Sequence, residues 1–248
     1  MGRPRQIDKR KWIGRMKQTF LVLVLAHLLG DFALMPPRLF AMKEKAPRAA
    51  LVHGLAVAAA TAGIGYLLLG KEVWPAALAA VLVHIAVDLG LCFASKTRRV
   101  ARSLLFFLDQ WLHLMAAVLA SALLPVREPV MLDADVELVR LAVVALSCTL
   151  FCSLGQKLVL RDVYPRYYRG KPLFFRSERA VDCLYGGVMF ILLGGIPQWY
   201  FALAAVLALS ALYLMAAGKL IQQPVQISIV KAAFSSVFIP AMFLIFRA

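Results

Sequence analysis

The chain has 248 residues, of which 62% are hydrophobic and only 17% are charged, and its mean hydropathy is +0.79. Soluble domains carry charge on roughly a quarter of their residues, so this composition argues against a soluble globular protein, a disordered chain and a disulfide scaffold. The net charge of +15 comes from basic residues in short loops between apolar runs, which suits contact with anionic lipid headgroups rather than with nucleic acid. The composition predicts a polytopic membrane protein.

A membrane-spanning helix needs about 20 apolar residues, and about eight runs in the chain approach that length. The first run is short and stops at Pro36-Pro37, and the sixth ends in a breaker cluster at residues 194–197, so either is expected to be tilted or re-entrant. No soluble domain fits between the runs, and the predicted fold class is an all-α, polytopic transmembrane helix bundle. The predicted segments are Thr19–Met35, Ala49–Leu69, Val73–Ala94, Ser103–Pro125, Val136–Leu160, Val181–Leu193, Gln198–Ala217 and Ser228–Phe246.

The predicted organisation has a basic surface tail at residues 1–18, a half with the first four segments at 19–125 and a second membrane half at 126–248. One set of alternate loops carries fifteen Lys and Arg residues, whereas the opposite loops and the C-terminus carry three. Because basic loops stay in the cytoplasm, we expect the fifteen-residue set to be cytoplasmic. Its loops are residues 36–48, 96–102, 161–179 and 218–227.

All four histidines fall in the first four predicted segments, one in each, and three of them have an aspartate four residues away. Residues four apart share a helix face, so each pair presents an imidazole and a carboxylate together. An aspartate in a membrane helix costs roughly 2.5–3.5 kcal/mol, which calls for a compensating partner. The order of histidine and aspartate reverses in the fourth segment, whose direction is also reversed, so like residues come to like depths. The predicted cluster is His27, Asp31, His53, His84, Asp88, Asp109 and His113.

Four imidazoles and three carboxylates form a ligand set for a divalent metal. Mixed histidine and aspartate favours zinc, with manganese, iron or nickel as alternatives, because calcium and magnesium prefer oxygen ligands alone. The set suits either two ions with a bridging water or one ion whose histidines the aspartates orient. In both arrangements the metal activates water at neutral pH, and His84, Asp88 and Asp109 are the predicted catalytic residues. Gln110 is expected either to hydrogen-bond to this cluster or to face another helix.

Four strings resemble a widespread bacterial membrane family of unknown function: AHLLGDF at 26–32, LVH at 51–53, HIAVD at 84–88 and LLFFLDQWLHL at 104–114. The signatures of that family are HLLGD-F, a lone histidine, H-x-x-x-D and L-D-Q-x-L-H, and the resemblance covers residues 20–115. It implies a place in the inner (plasma) membrane of a bacterium. By residue type, and as an analogy only, the pattern is also similar to inner-membrane metal-dependent hydrolases.

The basic loops are interpreted as contacts for lipid. Loop 161–179 interleaves six basic residues with five aromatic ones, a pattern typical of interfacial anchors and suited to phosphate headgroups. Lys157 and Lys231 lie near the ends of apolar segments and are expected to extend to the membrane surface. The predicted headgroup-binding residues are Lys96, Arg98, Arg99, Arg102, Arg166 and Arg169.

The leading functional prediction is a membrane-embedded metal-dependent hydrolase that acts on a lipid or other amphiphilic phosphoester at the cytoplasmic side. The expected partners are membrane lipids and a phosphate-bearing amphiphile, without nucleic acid. A transporter for divalent metals or protons is the alternative, because buried histidines and aspartates also mark ion pathways. A third interpretation is a structural protein in which one tightly held metal ties four helices together.

Overall fold

A computed structural model describes residues 9–36, 39, 42–43, 46–97, 101–126, 131–169, 176–195, 206, 208–215, 217 and 223–247. These residues form helices, turns and short connections, and none of them is in a β-strand. The prediction of an all-α fold is therefore confirmed over the described residues.

Eight helices are labelled in chain order, and residues 208–215 are also helical. Helix α1 continues into a wider turn at Leu29–Ala33, and a similar turn at Ser147–Phe151 joins α5 to α6. The labelled helices are α1 Lys9–Leu28, α2 Pro47–Leu69, α3 Trp74–Thr97, α4 Arg102–Leu123, α5 Asp133–Leu146, α6 Cys152–Val163, α7 Arg176–Gly195 and α8 Val225–Arg247.

Five described helical segments are long and apolar enough to cross a membrane, which indicates an integral membrane protein. Large apolar side chains such as Leu55, Leu82 and Leu119 are exposed on these segments, as expected where lipid is the solvent. The predicted sixth segment lies within α7, which is not among the five, and half of the predicted seventh lies outside the described residues. The five segments are Lys9–Ala33, Pro47–Ser95, Arg102–Leu123, Asp133–Val163 and Val225–Phe246.

The longest of these segments is a helical hairpin. Helix α2 begins with a proline in its first turn. Proline is well tolerated there, because a backbone N–H in the first turn would have no acceptor within the helix. It ends at Gly70, whose φ of +62° is readily adopted only by glycine. A short tight turn at Gly70–Val73 then reverses the chain into α3. Packing of Gly65 against Val73, and of Gly54 against Ile85, shows that α2 and α3 run antiparallel.

The structure divides into two compact units, each described by itself. The first comprises Met1–Arg99 and Leu108–Val143, and the second comprises Val100–Phe107 and Val144–Ala248. In the first unit, α1 begins at Lys9 and so extends through half of the predicted surface tail. Its buried Gln18 donates a hydrogen bond to the Met131 carbonyl oxygen at 3.1 Å, which ties α1 to the chain beyond α4.

The core of the second unit combines close backbone contact with aromatic packing. A Cβ atom on Gly186 of α7 would lie 2.3 Å from the Cys148 carbonyl oxygen, so only glycine allows α7 to approach that turn. Phe151 packs against Phe106 with ring centroids 5.3 Å apart and against Phe238 at 5.1 Å. These contacts join Phe106, α7 and α8 to the turn at Ser147–Phe151.

Candidate metal centre

The first unit gathers all seven predicted histidines and aspartates into one buried cluster. Six of these residues are 5% exposed or less, and the His27 side chain is 16% exposed. Two glycines allow the helices to approach closely at this level. A Cβ atom on Gly54 would lie 2.6 Å from Cγ1 of Ile85, and one on Gly30 would lie 3.1 Å from Cγ2 of Val57. The small residues beside His53 and Asp31 therefore bring the helices within reach of one another.

The imidazoles form a continuous group across α1 to α4. The Nε2 atoms of His53 and His84 are 3.3 Å apart, and the rings of His84 and His113 stack with centroids 4.0 Å apart. The His27 ring lies 4.9 Å from the His113 ring, centroid to centroid. Imidazoles at these separations offer several ring nitrogens to one small volume.

Carboxylates lie along one side of the imidazole group. The His53 Nε2 atom is 3.2 Å from Oδ1 of Asp31 and 3.3 Å from Oδ2 of Asp88. Within α3, His84 Nε2 lies 3.3 Å from Oδ2 of Asp88. The corresponding contact in α4 joins Nδ1 of His113 to Oδ1 of Asp109, also at 3.3 Å. The four-residue spacing therefore produces the expected pairing of imidazole with carboxylate.

Lys43, which was not among the predicted site residues, lies inside the carboxylate group. Its Nζ atom is 3.2 Å from Oδ1 of Asp88, 3.4 Å from Oδ2 of Asp109 and 4.0 Å from Oδ2 of Asp31. Burial lowers the pKa of Lys43, but Asp109, Asp31 and Asp88 outweigh it and raise that pKa above the usual range, so the ammonium stays charged. In the sequence Lys43 is one of four basic residues of a loop, and nothing in its spacing shows that it folds inward.

Gln110 hydrogen-bonds to the cluster, which decides between the two alternatives left open for it. Its Nε2 atom donates to Oδ2 of Asp31 at 3.2 Å and to Oδ2 of Asp109 at 3.1 Å. Its Oε1 atom lies 3.1 Å from Nε2 of His27. One amide side chain thus connects Asp31 and Asp109 to the imidazole of His27.

Several polar atoms of the cluster receive no hydrogen bond from the residues that the structure describes. Three of them are carboxylate oxygens: Oδ1 of Asp31, Oδ2 of Asp88 and Oδ1 of Asp109. A buried acceptor without a hydrogen bond is costly. Each of these oxygens lies 3.2–3.3 Å from an imidazole nitrogen, so it is well placed to share a cation with that ring. The donor atoms therefore fit a metal ion.

Three groups of potential ligands have their donor atoms within 4.8 Å of one another. With metal–ligand distances of about 2.0–2.1 Å, ligand atoms lie no more than about 4.2 Å apart, so small side-chain shifts would close any of the three groups. The groups are His27/His84/His113, Asp31/His53/His84 and Asp31/Asp109/His113.

A small cavity of about 20 Å³ lies against three of the histidines. Its lining extends one helical turn beyond each histidine, on the side away from the aspartate of the same segment, and it has room for one ion or water. Its remaining lining is apolar except for a threonine. The lining consists of His27, His84, His113, Leu23, Val57, Thr61, Ala80, Val81 and Ala117.

The predicted headgroup residues are not placed at the cluster by the structure. Arg98, Arg99 and the side chain of Lys96 lie outside the described residues. Arg102, Arg166 and Arg169 are exposed and belong to the second unit. A role for these six residues in phosphate binding stays a prediction.

A second buried polar cluster, in the second unit, corrects the expectation for two lysines. The ammonium of Lys231, 0% exposed, lies 2.7 Å from Oε1 of Glu178 and 2.8 Å from Oδ2 of Asp182. Lys157 is also buried, with its Nζ atom 2.8 Å from Oε2 of Glu178. The prediction that these lysines extend to the membrane surface is wrong, because each has a carboxylate partner in the protein interior. The Tyr213 hydroxyl donates to Asp182 at 2.7 Å.

The fold and the site define a helical membrane protein with a buried His/Asp cluster suited to a metal ion. A family model described as "Protein of unknown function (DUF3307)" matches residues 19–134. That range includes every histidine and aspartate of the cluster, together with Lys43 and Gln110. No curated protein and no solved structure matches the chain.

Proposed function

We propose that the protein is a membrane-embedded, metal-dependent hydrolase that cleaves a phosphoester of a lipid or another amphiphile. The observation that carries this proposal is the convergence of four imidazoles and three carboxylates from α1, the turn that follows it, and α2 to α4. Buried ionisable residues are costly in a membrane, and this cluster leaves carboxylate oxygens without hydrogen bonds. Both features favour a site that receives a cation.

A metal ion would be held by His27, His84 and His113, next to the cavity, or by Asp31 with its neighbouring histidines. When bound, it would supply Lewis-acid chemistry that activates water and polarises a phosphoryl oxygen. Zinc is the ion that mixed nitrogen and oxygen ligands favour, with manganese, iron or nickel as alternatives.

The carboxylates of the chain have two tasks in this proposal. Asp88 and Asp109 contact the imidazoles of His84 and His113 on their own helices, which fixes the ring orientations. One of these carboxylates would also accept the proton that the attacking water loses. Gln110 donates a hydrogen bond to Asp109 and another to Asp31, which fixes these two carboxylates relative to each other.

The substrate class follows from the surroundings of the cluster. Helices α2 to α4 expose large apolar side chains, so a substrate that reaches the cluster from the membrane must itself be partly apolar. The loops at 36–48 and 96–102 carry eight basic residues between them, and such loops attract anionic headgroups. A phosphate-bearing amphiphile satisfies both requirements.

A divalent-metal or proton transporter is the second candidate, and the position of the cavity favours it. The cavity extends from His27, His84 and His113 away from the aspartates, with Thr61 as a buried polar group beyond them. A conduit would continue in that direction, whereas a hydrolytic site would open toward the basic loops.

The test uses full-length protein purified without a histidine tag or chelator. Wild type and Asp133→Asn, an exposed aspartate, should retain at least one equivalent of zinc, manganese or iron by mass spectrometry, and His84→Ala should lose it. Asp88→Asn should reduce phosphate release from micellar diacylglycerol phosphate by about 100-fold or more. Metal-free, well-folded wild type would refute the proposal. Bound metal without hydrolysis, but with metal flux into liposomes, would support the transporter instead.

A further inference from the structure

The ammonium of Lys43 occupies the position in the carboxylate group where a cation is needed. Besides Asp88, Asp109 and Asp31, its Nζ atom contacts Nε2 of His53 at 3.5 Å. These four residues are all candidate metal ligands, and the Lys43 side chain is only 8% exposed. A metal ion and this ammonium therefore cannot use the same carboxylate oxygens at the same time.

The charges of the cluster limit how many ions it can hold. With a metal bound, three ionised carboxylates contribute −3, Lys43 contributes +1 and imidazole ligands, which bind metals in the neutral form, contribute nothing, so the protein supplies −2. One divalent ion brings the buried cluster to neutrality, whereas two would leave it at +2. Unbalanced charge is expensive at low dielectric, within a membrane protein above all.

We propose that Lys43 is a tethered cation that fills the second cation position of the cluster, so that the site binds one divalent ion, on the histidine side, and not two. This inference rests on the metal site proposed above and specifies its composition. Lys43 is a positioning residue in this arrangement, because it holds Asp88 and Asp109 by direct contact. The single ion lies next to the cavity that His27, His84 and His113 line.

A purely structural role for Lys43 predicts a different result when its charge is removed. If the ammonium only stabilises the fold, its loss changes thermal stability and leaves the number of bound ions unchanged. If it occupies a cation position, its loss opens that position to a second ion. Metal stoichiometry separates the two roles, and it is measured independently of hydrolysis.

Zinc-saturated protein, freed of excess metal by gel filtration in detergent, provides the test. Wild type and the exposed-lysine control Lys71→Met should hold one equivalent of zinc, and Lys43→Met should hold two. The double variant Lys43→Met/Asp109→Asn restores the net charge of −2 and should return to one. Two equivalents in wild type, or one in folded Lys43→Met, would overturn the inference. No zinc in wild type would instead refute the proposed metal site.

A second measurement needs no variant and so does not depend on the folding of Lys43→Met. X-ray absorption of zinc-loaded wild type should show one zinc environment rich in imidazole nitrogen. A zinc–zinc distance of about 3.5–4 Å, as in two-metal sites, would show that Lys43 does not exclude the second ion.

Discussion

Replacing Lys231 with methionine is expected to destabilise the second unit strongly. The substitution keeps the length and the apolar stem of the side chain but removes a fully buried ammonium. That ammonium contacts Glu178 and Asp182 on α7 and also donates to Oε1 of Gln223 at 3.3 Å. In Lys231→Met, Asp182 loses its only cationic partner among the ion pairs of the described residues.

The magnitude follows from which partners survive. Removing one member of a buried ion pair costs about 3–5 kcal/mol, because the other charge is left uncompensated. Glu178 keeps Lys157 at 2.8 Å, and Asp182 keeps the Tyr213 hydroxyl at 2.7 Å, so we expect a value near the lower limit, about 3 kcal/mol. For a chain of this length, that corresponds to a melting temperature lower by about 6–12 °C.

The assay is thermal unfolding in detergent, followed by the reaction of a fluorescent maleimide with the buried free thiols Cys148 and Cys152. Lys71→Met removes an exposed lysine and should leave the melting temperature within about 2 °C of wild type. The double variant Lys231→Met/Asp182→Asn removes the stranded charge and should recover part of the loss. A Lys231→Met variant as stable as Lys71→Met would refute the reasoning.

Two further outcomes are expected in the second unit. Gly186→Ala should lower the melting temperature by several degrees, because its Cβ atom would meet the Cys148 carbonyl oxygen at 2.3 Å; the neighbouring control Gly187→Ala, with its nearest contact at 3.7 Å, should not. Burial raises the pKa of Glu178, but Lys231 and Lys157 outweigh it and lower that pKa from 4.5 to about 2. The stability this carboxylate contributes is present above pH 4.5 and is lost as the pH falls toward 2. The melting temperature of Glu178→Gln should therefore depend less on pH in that range than that of wild type. An equal pH dependence in the two proteins would contradict this role of Glu178.

The residues of the candidate metal centre were predictable because local spacing encodes their pairing. Pairs such as His84 with Asp88, four residues apart on one helix, must point the same way. Helix direction alternates along a membrane bundle, which also predicts that Asp109 lies at the depth of Asp88. The structure gathers these residues as that reasoning expects, without any knowledge of tertiary contacts.

Lys43 and Lys231 could not be predicted in the same way. A lysine near the end of an apolar run normally reaches the membrane surface, and this preference is a property of the residue type. Whether it turns inward depends on carboxylates that are distant in sequence, such as Asp109 for Lys43 and Asp182 for Lys231. Helical periodicity carries no information about such pairs, so the sequence predicts Lys231 at the membrane surface and identifies Lys43 only as one basic residue of a loop.

Comparison of the two buried clusters explains why only one of them is proposed as a functional site. Each has a lysine ammonium among carboxylates, so burial of charge alone does not distinguish them. In the second cluster Lys157 and Lys231 balance Glu178 and Asp182, and the protein itself completes the neutralisation. In the first, Lys43 balances only one of three carboxylates, and the remaining charge of −2 lies beside four imidazoles. This uncompensated negative charge is the property expected of a site that binds a divalent cation.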